Sequence, residues 1–254
     1  MNVPLLEICV DSLISARAAI AGGADRLELC SALSIGGLTP YTDLLLQIRS
    51  ESDIPVRCLI RPRGGDFLYT AEELAMMAAQ ITALRQAGAD GFVIGCLDAD
   101  GCLDRVALFP LLRAAKGRGL TLHRCIDVSR DPLQTYLAAA ALGFDTVLTS
   151  GGAANCLAGQ ETIGQMLALQ SEINGPEVLI GAGVNAAVIT QLCHCFPGAR
   201  AFHASCKTAK ESAMRYRRQD VPMGLPGLDE WHIQQTDETS VRQAKTALFQ
   251  LLAK

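Results

Sequence analysis

One phrase recurs four times along this 254-residue chain and limits the folds that the chain can adopt. Each copy begins with a glycine, passes a small or aromatic residue and a polar one, and continues into a short, largely apolar run. The copies are GADRLELC at 23–30, GADGFVIG at 88–95, GFDTVLTS at 143–150 and GARAFHAS at 198–205. Their first glycines lie 65, 55 and 55 residues apart, so the chain is built from repeated units.

A second set of apolar runs lies between these copies, at 5–10, 56–61, 120–125 and 178–183. The eight predicted strands alternate with helical patterns, of which 70–85 is the clearest, with a capping box at Thr70 and Glu73. Alternating strands and helices favour a parallel sheet. Eight such units in one chain of this length predict a single (β/α)8 TIM barrel over residues 1–254.

A doubly wound open sheet is the alternative fold. It would carry a glycine-rich dinucleotide fingerprint after the first strand, and CVDSL at 9–13 has no such pattern. No nucleotide cofactor is therefore indicated. The repeat ends in a long polar connection at about 207–239, between the eighth strand and the last helix. Connections of this length are usually lids, contact surfaces or disordered loops, and we expect a lid or a subunit contact.

Composition excludes several classes of function. A net charge of −4 and a pI near 5.6 argue against a nucleic-acid partner. Residues 1–10 show no signal peptide and no apolar run is long enough to span a membrane, so we expect a soluble, cytoplasmic protein. The ten cysteines include no CxxC pair, and we expect most of them to be reduced thiols in the core.

Polar side chains gather at the carboxyl ends of the predicted strands, where barrel enzymes place their sites. Because side chains alternate along a strand, residues two apart point the same way. The two rules select one set for the barrel mouth: Glu7, Cys9, Glu28, Cys30, Arg61, Arg63, His123, Cys125, Asp127, His203 and Ser205. We expect Glu7 and Glu28 to pair with Arg61 or Arg124, because unpaired charges against the helices would be costly. Ion pairs that merely stabilise the barrel are the open alternative.

This set suggests an enzyme of lyase, isomerase or hydrolase type that acts on a small anionic metabolite, such as a phosphorylated one. The candidate catalytic residues are Glu28, Arg61, His123 and Asp127. Glycine loops after the sixth and seventh strands offer backbone amides to an anion, although tight turns would use the same residues. The candidate anion-binding residues are Arg63, Asp66, Arg124, Ser150, Gly151, Gly181, Gly183, His203 and Ser205. The sequence leaves open whether Arg61 or Arg63 faces the mouth.

The cysteines suggest a different function. Cys9 and Cys30 belong to the same Glu-x-Cys pattern on neighbouring strands, which lie about 4.8 Å apart. Two thiolates so placed suit Cu(I), a soft ion that favours sulfur, with His123 or Cys125 within reach. The alternative is that both cysteines are ordinary small core residues.

Several longer motifs together resemble the CutC copper homeostasis protein family. They are LEICVDS at 6–12, GGADRLELCS at 22–31, GGLTP at 36–40, IRPRGGDFLY at 60–69, His123–Arg124 with Asp127, Asp131–Pro132, LTSG at 148–151 and GAGV at 181–184. The resemblance implies a cytoplasmic (β/α)8 barrel that forms a homodimer or higher oligomer and takes part in copper tolerance or trafficking. It also implies that Cys9 and Cys30 bind Cu(I), while Cys125 stands where the family usually has alanine and inherits no role.

Overall fold

The computed structural model describes residues 4–218, 220, 221, 227 and 229–252. Part of the connection predicted at 207–239, including residues 222–226, lies outside this range, as do both ends of the chain.

Eight parallel strands close into a barrel in which each strand pairs with its neighbours in sequence and β1 pairs with β8. The strands are β1 Leu5–Val10, β2 Arg26–Leu29, β3 Val56–Leu59, β4 Gly91–Ile94, β5 Gly119–Leu122, β6 Thr146–Thr149, β7 Glu177–Ile180 and β8 Ala201–Ala204. The TIM barrel predicted from the repeats is thereby confirmed. Several strands end earlier than their apolar runs, so Arg61, His123 and Ser205 lie in the loops just beyond.

Helices surround the barrel. They are α1 Leu13–Ala21, α2 Thr42–Glu51, α3 Ala71–Gln86, α4 Arg105–Ala115, α5 Pro132–Ala141, α6 Gln160–Ile173, α7 Ala186–Cys195 and α8 Glu238–Leu252. The predicted capping box is present at α3, where Thr70 accepts from the Glu73 amide and the Glu73 side chain accepts from the Thr70 amide. Two short 3-10 helices, Leu33–Ile35 and Arg124–Val128, lie in the loops after β2 and β5.

The strands bury both of their faces. Leu6, Ile8 and Leu27 belong to the large core cluster that also contains helix residues, so they face outward to the helices. The alternate residues form small clusters made mainly of strand residues, and these fill the lumen. Cys9, Cys30, Leu59 and Val93 lie together in one lumen layer, while Leu148, Leu179 and Ala201 form another.

An arginine occupies a further lumen layer. The Arg57 side chain of β3 extends over Gly91 and Gly119 and donates hydrogen bonds from Nη1 to Thr121 Oγ1 at 2.7 Å and to Asp145 Oδ1 at 2.6 Å. A Cβ atom at either glycine would lie within 3.1 Å of Arg57 atoms. The two glycines are therefore needed to make room for a side chain that links β3 to β5 and to the start of β6.

A two-stranded antiparallel sheet follows the barrel. Its strands are β9 Lys207–Glu211 and β10 His232–Thr236, and α8 begins two residues after β10. The Thr236 amide donates to Ser15 Oγ, which ties this sheet to α1. The role of the connection as a lid or subunit contact stays a prediction.

All ten cysteines lie within the described residues and are free thiols, and seven of them are buried. This agrees with their predicted state. None of the helices in the described part of the chain is long and apolar enough to cross a membrane.

Candidate functional site

A cavity of about 520 Å³ opens at the carboxyl ends of the strands. Its lining includes seven of the eleven predicted mouth residues, together with two further candidates for anion binding, Arg124 and Gly183. The seven are Cys9, Glu28, Arg61, His123, Asp127, His203 and Ser205. Residues of both the predicted thiol site and the predicted anion site therefore line the same cavity.

Cys9, Glu28 and His203 form a compact cluster on one wall of this cavity. The Cys9 thiol, the Glu28 carboxylate and the His203 imidazole lie within 4.8 Å of one another, and all three types of group can bind a metal. Barrel closure creates the cluster, because Cys9 lies opposite Glu28 in the β1–β2 pair while β8 carries His203 along the other edge of β1. The predicted thiol site thus acquires a histidine that the sequence had assigned to anion binding.

A buried ion pair supports the cluster from below. Glu7 is completely buried and accepts from Arg26 Nε at 2.5 Å and from His203 Nδ1 at 2.8 Å. Burial by itself would raise the pKa of Glu7, but Arg26 and His203 outweigh it and hold this pKa at about 2. The expectation that Glu7 pairs with Arg61 or Arg124 is wrong, because Arg26 lies directly opposite Glu7 in the β1–β2 register.

Glu7 fixes the orientation of His203. An ionised carboxylate can only accept, so His203 Nδ1 carries the hydrogen and Nε2 faces Glu28 Oε2 at 3.7 Å. Burial opposes the charge on His203, but Cys9, Glu28 and Glu7 raise its pKa well above the ordinary value. A carboxylate behind a histidine in this way orients metal-binding imidazoles in many proteins.

Cys30 lies behind Glu28 rather than in the cavity lining. Its Sγ donates to Glu28 Oε2 at 3.5 Å, and burial followed by the nearby Glu28 charge raises the pKa of this thiol well above its usual value. Burial also raises the pKa of Glu28, so this carboxylate is a better proton acceptor than an exposed one. The expected pairing of Glu28 with Arg61 or Arg124 is wrong as well, because its contacts are with His203 and Cys30.

The two arginines at the end of β3 have separate roles. Arg61 is buried and lines the cavity, and its Nη1 donates to the carbonyl oxygens of Ile35 and Gly37, both at 3.1 Å. Its Nη2 donates to the Gly65 carbonyl at 3.0 Å, so Arg61 joins the loops after β2 and β3. Because these carbonyls and the cavity surround it, Arg61 is the arginine that faces the mouth.

Arg63 turns away from the mouth. It forms ion pairs with Glu73 at 2.6 Å and with Asp66 at 3.0 Å. Asp66 therefore folds back onto one of the two arginines. Neither Arg63 nor Asp66 lines the cavity, so the structure places these two candidate anion-binding residues outside it.

His123 is held as a neutral imidazole in the cavity wall. Its burial, and next the charge of Arg61, lower the pKa of His123 to about 3. Nδ1 accepts from the Cys125 amide at 3.2 Å and caps the 3-10 helix at 124–128. The Nε2 atom is buried and has no hydrogen-bond partner among the described residues.

Asp127 holds the loop after β6. Its carboxylate accepts from Thr149 Oγ1 at 2.6 Å, from the Ser150 amide at 3.0 Å and from the Gly152 amide at 3.1 Å. The Asp127 carboxylate also accepts from Arg124 Nε at 2.7 Å. Both oxygens of this candidate catalytic residue are therefore already hydrogen-bonded to the protein. Arg124 in turn donates to Ser150 Oγ at 2.8 Å, so part of its guanidinium also serves this loop.

Most of the glycine amides expected to bind an anion have other partners. The Gly151 amide donates to Thr149 Oγ1 and the Gly181 amide donates to the Thr149 carbonyl. The Gly183 amide, by contrast, makes no hydrogen bond to the described residues, and Gly183 lines the cavity at a φ of +82°. The predicted anion site is therefore reduced on the β6 side, while the β7 side stays available.

Arg26 and Phe67 contribute to the site but were not predicted from the sequence. Arg26 precedes Glu28 by two residues, and this shared parity is the signal that could have placed it in the lumen. Phe67 belongs to the motif at 60–69, but no local pattern shows that its ring lies 4.8 Å from the ring of His123.

Comparison with known proteins places this architecture in a family. The model of the CutC family matches residues 4–208. A protein named CutC from Chromobacterium violaceum is 40% identical over 245 residues, which cover 96% of this chain and 98% of the relative. The copper homeostasis protein cutC homolog of Homo sapiens is 38% identical over 240 residues, which cover 94% of this chain and 86% of the relative.

A solved structure supports the same relationship. The crystal structure of CutC from Streptococcus agalactiae superimposes with a TM-score of 0.74 at 28% sequence identity. The match covers 80% of this chain and 99% of the other.

Proposed function

This chain belongs to the CutC family, and we propose that it is a copper homeostasis protein that binds Cu(I) in the mouth of its barrel. The observation that carries the proposal is the cluster of Cys9, Glu28 and His203, whose ligand atoms lie within 4.8 Å of one another. The human relative is named as a copper homeostasis protein, which agrees with this assignment. As the resemblance implies, we further propose that the protein acts in the cytoplasm as a homodimer or higher oligomer.

The ligands follow from the softness of Cu(I), which favours thiolate sulfur and accepts imidazole nitrogen. We assign Cys9 Sγ and His203 Nε2 as ligands on the cavity side and Cys30 as the second thiolate. Glu28 has a harder oxygen donor, and its contact with Cys30 Sγ at 3.5 Å suits it to receive the Cys30 proton. Burial raises the pKa of Glu28, so the transfer leaves a neutral carboxylic acid beside the bound metal.

The same assignment explains the Glu7 contact. Metal binding replaces the proton on His203 Nε2, while the Nδ1–H bond to Glu7 at 2.8 Å keeps the ring in place. Because ligands must lose protons to bind a metal, we expect the affinity to rise with pH.

The proposal is tested by anaerobic Cu(I) titration against a competing chelator. Cys102 and Cys195 are exposed thiols that would bind copper at the surface, so the test uses a background variant with Cys102→Ser and Cys195→Ser. In that background we expect one tight Cu(I) site. The double variant Cys9→Ala/Cys30→Ala should lose this site, and His203→Gln should weaken it by at least about tenfold.

Cys58→Ala is the matched control, because Cys58 is also a buried strand cysteine but belongs to the core cluster shared with the helices. It should retain the tight site. Equal stoichiometry and affinity in the Cys9→Ala/Cys30→Ala variant and its background would rule out these ligands.

A further inference from the structure

Two buried hydrogen-bond donors in the cavity wall have no role in the copper site. Arg61 Nε and His123 Nε2 are shut off from water and lack a partner among the described residues. They come from the ends of β3 and β5, and both residues line the same cavity. Buried polar groups are nearly always paired, so two orphaned donors in one wall indicate a missing acceptor.

One aromatic ring packs against both residues. The Phe67 ring lies 4.8 Å from the His123 ring, and the Arg61 guanidinium carbon lies 5.3 Å from the Phe67 centroid. Phe67 follows Gly64 and Gly65, of which Gly65 has a φ of +88°, in a loop that Arg61 holds through the Gly65 carbonyl. The ring offers no conventional acceptor to either N–H group, so neither donor is satisfied by this contact.

The charges define what can bind. Arg61 is always a cation, and its Nη1 and Nη2 donate to loop carbonyls, which leaves Nε for a ligand. His123 is neutral, because its pKa is about 3, and its Nδ1 accepts a backbone hydrogen bond, so Nε2 bears the proton. The pair therefore offers two N–H donors and one positive charge, which repels metal cations and suits a group with a single negative charge.

We propose that this wall binds the carboxylate of a small organic acid, which accepts hydrogen bonds from Arg61 Nε and His123 Nε2 when the Phe67 ring moves aside. A phosphate dianion fits less well, because the Ser150 and Gly152 amides that could help neutralise it are bound to Asp127. The remainder of the acid would occupy the cavity of about 520 Å³ towards Cys9, Glu28 and His203. This site is distinct from the copper ligands and goes beyond the proposed copper function.

The test uses copper-free protein labelled with ¹⁵N histidine, in which the four histidines give few and assignable signals. Acetate, lactate and pyruvate are the probes, with inorganic phosphate as a separate arm. At least one carboxylate should shift the His123 Nε2–H resonance at millimolar concentration. His123→Asn keeps a side-chain oxygen to cap the 3-10 helix but removes Nε2–H. Because this variant has no His123 signal, its affinity is measured by isothermal titration calorimetry beside the natural chain, and it should be weaker by at least about tenfold.

Further variants separate a binding site from a general loss of structure. Phe67→Ala should speed solvent exchange of the His123 Nε2 proton, since it removes the ring that packs against the imidazole. Arg61→Gln should weaken carboxylate binding, while Arg63→Gln should leave it unchanged because Arg63 lies outside the cavity. Circular dichroism and thermal unfolding of each variant show whether the barrel is intact.

The proposal is overturned if none of the three carboxylates shifts the His123 signal, or if His123→Asn binds them as tightly as the natural chain. Tighter binding of phosphate than of every carboxylate at this wall would overturn the assignment to a monoanion. Cu(I) affinity should be the same in His123→Asn, so failure here is distinguishable from failure of the copper proposal.

Discussion

At the scale of single residues, the candidate site depends on buried charges that neutralise one another across strands. Glu7 lies between Arg26 and His203, and the three side chains form a row across β2, β1 and β8. A carboxylate buried without such partners would take up a proton. The row therefore keeps Glu7 ionised and holds His203 in the orientation that the metal proposal requires.

Glu7→Gln is predicted to destabilise the barrel strongly. It leaves the buried Arg26 without a counter-charge, and breaking a buried ion pair costs about 3–5 kcal/mol. Urea unfolding near neutral pH measures the loss. Glu51→Gln is the matched control, because Glu51 also pairs with an arginine, Arg17, but at the exposed surface, where solvent screens the pair and the change in stability should be small.

The same carboxylate predicts a pH dependence of stability. The pKa of Glu7 falls from 4.5 to about 2 on folding, so the unfolded chain binds more protons between these values. Stability from Glu7 is complete above the higher value and is lost as the pH falls towards the lower one. The difference in unfolding free energy between the natural chain and Glu7→Gln should therefore shrink on acidification, and a constant difference would contradict the low pKa.

At the scale of elements, the loops at the barrel mouth are fastened by side chains from neighbouring loops. Asp127, in the loop after β5, accepts hydrogen bonds from the Thr149 hydroxyl and from the Ser150 and Gly152 amides after β6. Arg61, after β3, donates hydrogen bonds to carbonyl oxygens in the loop after β2 and in its own loop. These contacts shape the loop-built part of the cavity, while strand residues such as Cys9, Glu28 and His203 form another wall.

Asp127→Asn is predicted to loosen the β6 loop. Asparagine replaces one acceptor oxygen with an NH₂ group that would face the Ser150 and Gly152 amides, and losing hydrogen bonds to a charged group costs about 2–3 kcal/mol. Differential scanning calorimetry should show a fall in the unfolding temperature of about 4–12 °C.

Asp131→Asn serves as the control for this prediction. Asp131 also accepts backbone amides, at the start of α5, but asparagine caps a helix as well as aspartate does. Its unfolding temperature should stay close to that of the natural chain. An unchanged temperature in Asp127→Asn would mean that the β6 loop does not rely on this carboxylate.

At the scale of the whole molecule, barrel closure depends on how the lumen is filled. Arg57 spans the lumen from β3 to β5 and the start of β6, and it passes over Gly91 and Gly119. A Cβ on Gly91 would lie 2.6 Å from the backbone oxygen of Gly119, on the neighbouring strand. This contact cannot relax without moving two paired strands.

Gly91→Ala is accordingly predicted to destabilise the barrel by about 1–3 kcal/mol, as overpacking does in other cores. Gly198→Ala is the control, because no heavy atom of the described residues lies within 4 Å of its added Cβ and its φ is not positive. We expect Gly198→Ala to be neutral or stabilising by about 0.4–1 kcal/mol. Chemical denaturation of both variants measures the contrast, and equal stabilities would show that the lumen yields at Gly91.

The sequence by itself determined the barrel and the set of side chains directed to its mouth. The repeats predicted eight alternating strands, and strand parity put Cys9, Glu28 and His203 on the inner face, as the structure has them. Capping residues such as Thr70 and Glu73 marked the start of α3 correctly. These features depend on the period of the chain and on neighbours a few residues apart, so a local pattern is sufficient to reveal them.

Only the tertiary structure decided which of those side chains meet. His203 contacts Glu7, 196 residues away in sequence, because β8 closes on β1. Arg26, rather than Arg61 or Arg124, forms the ion pair with Glu7. The bend at Pro62 and Gly65 likewise turns Arg61 inward and Arg63 outward. In each case, strand register and loop shape decide which side chains come into contact. A local sequence pattern cannot show this, because the partners are distant in sequence.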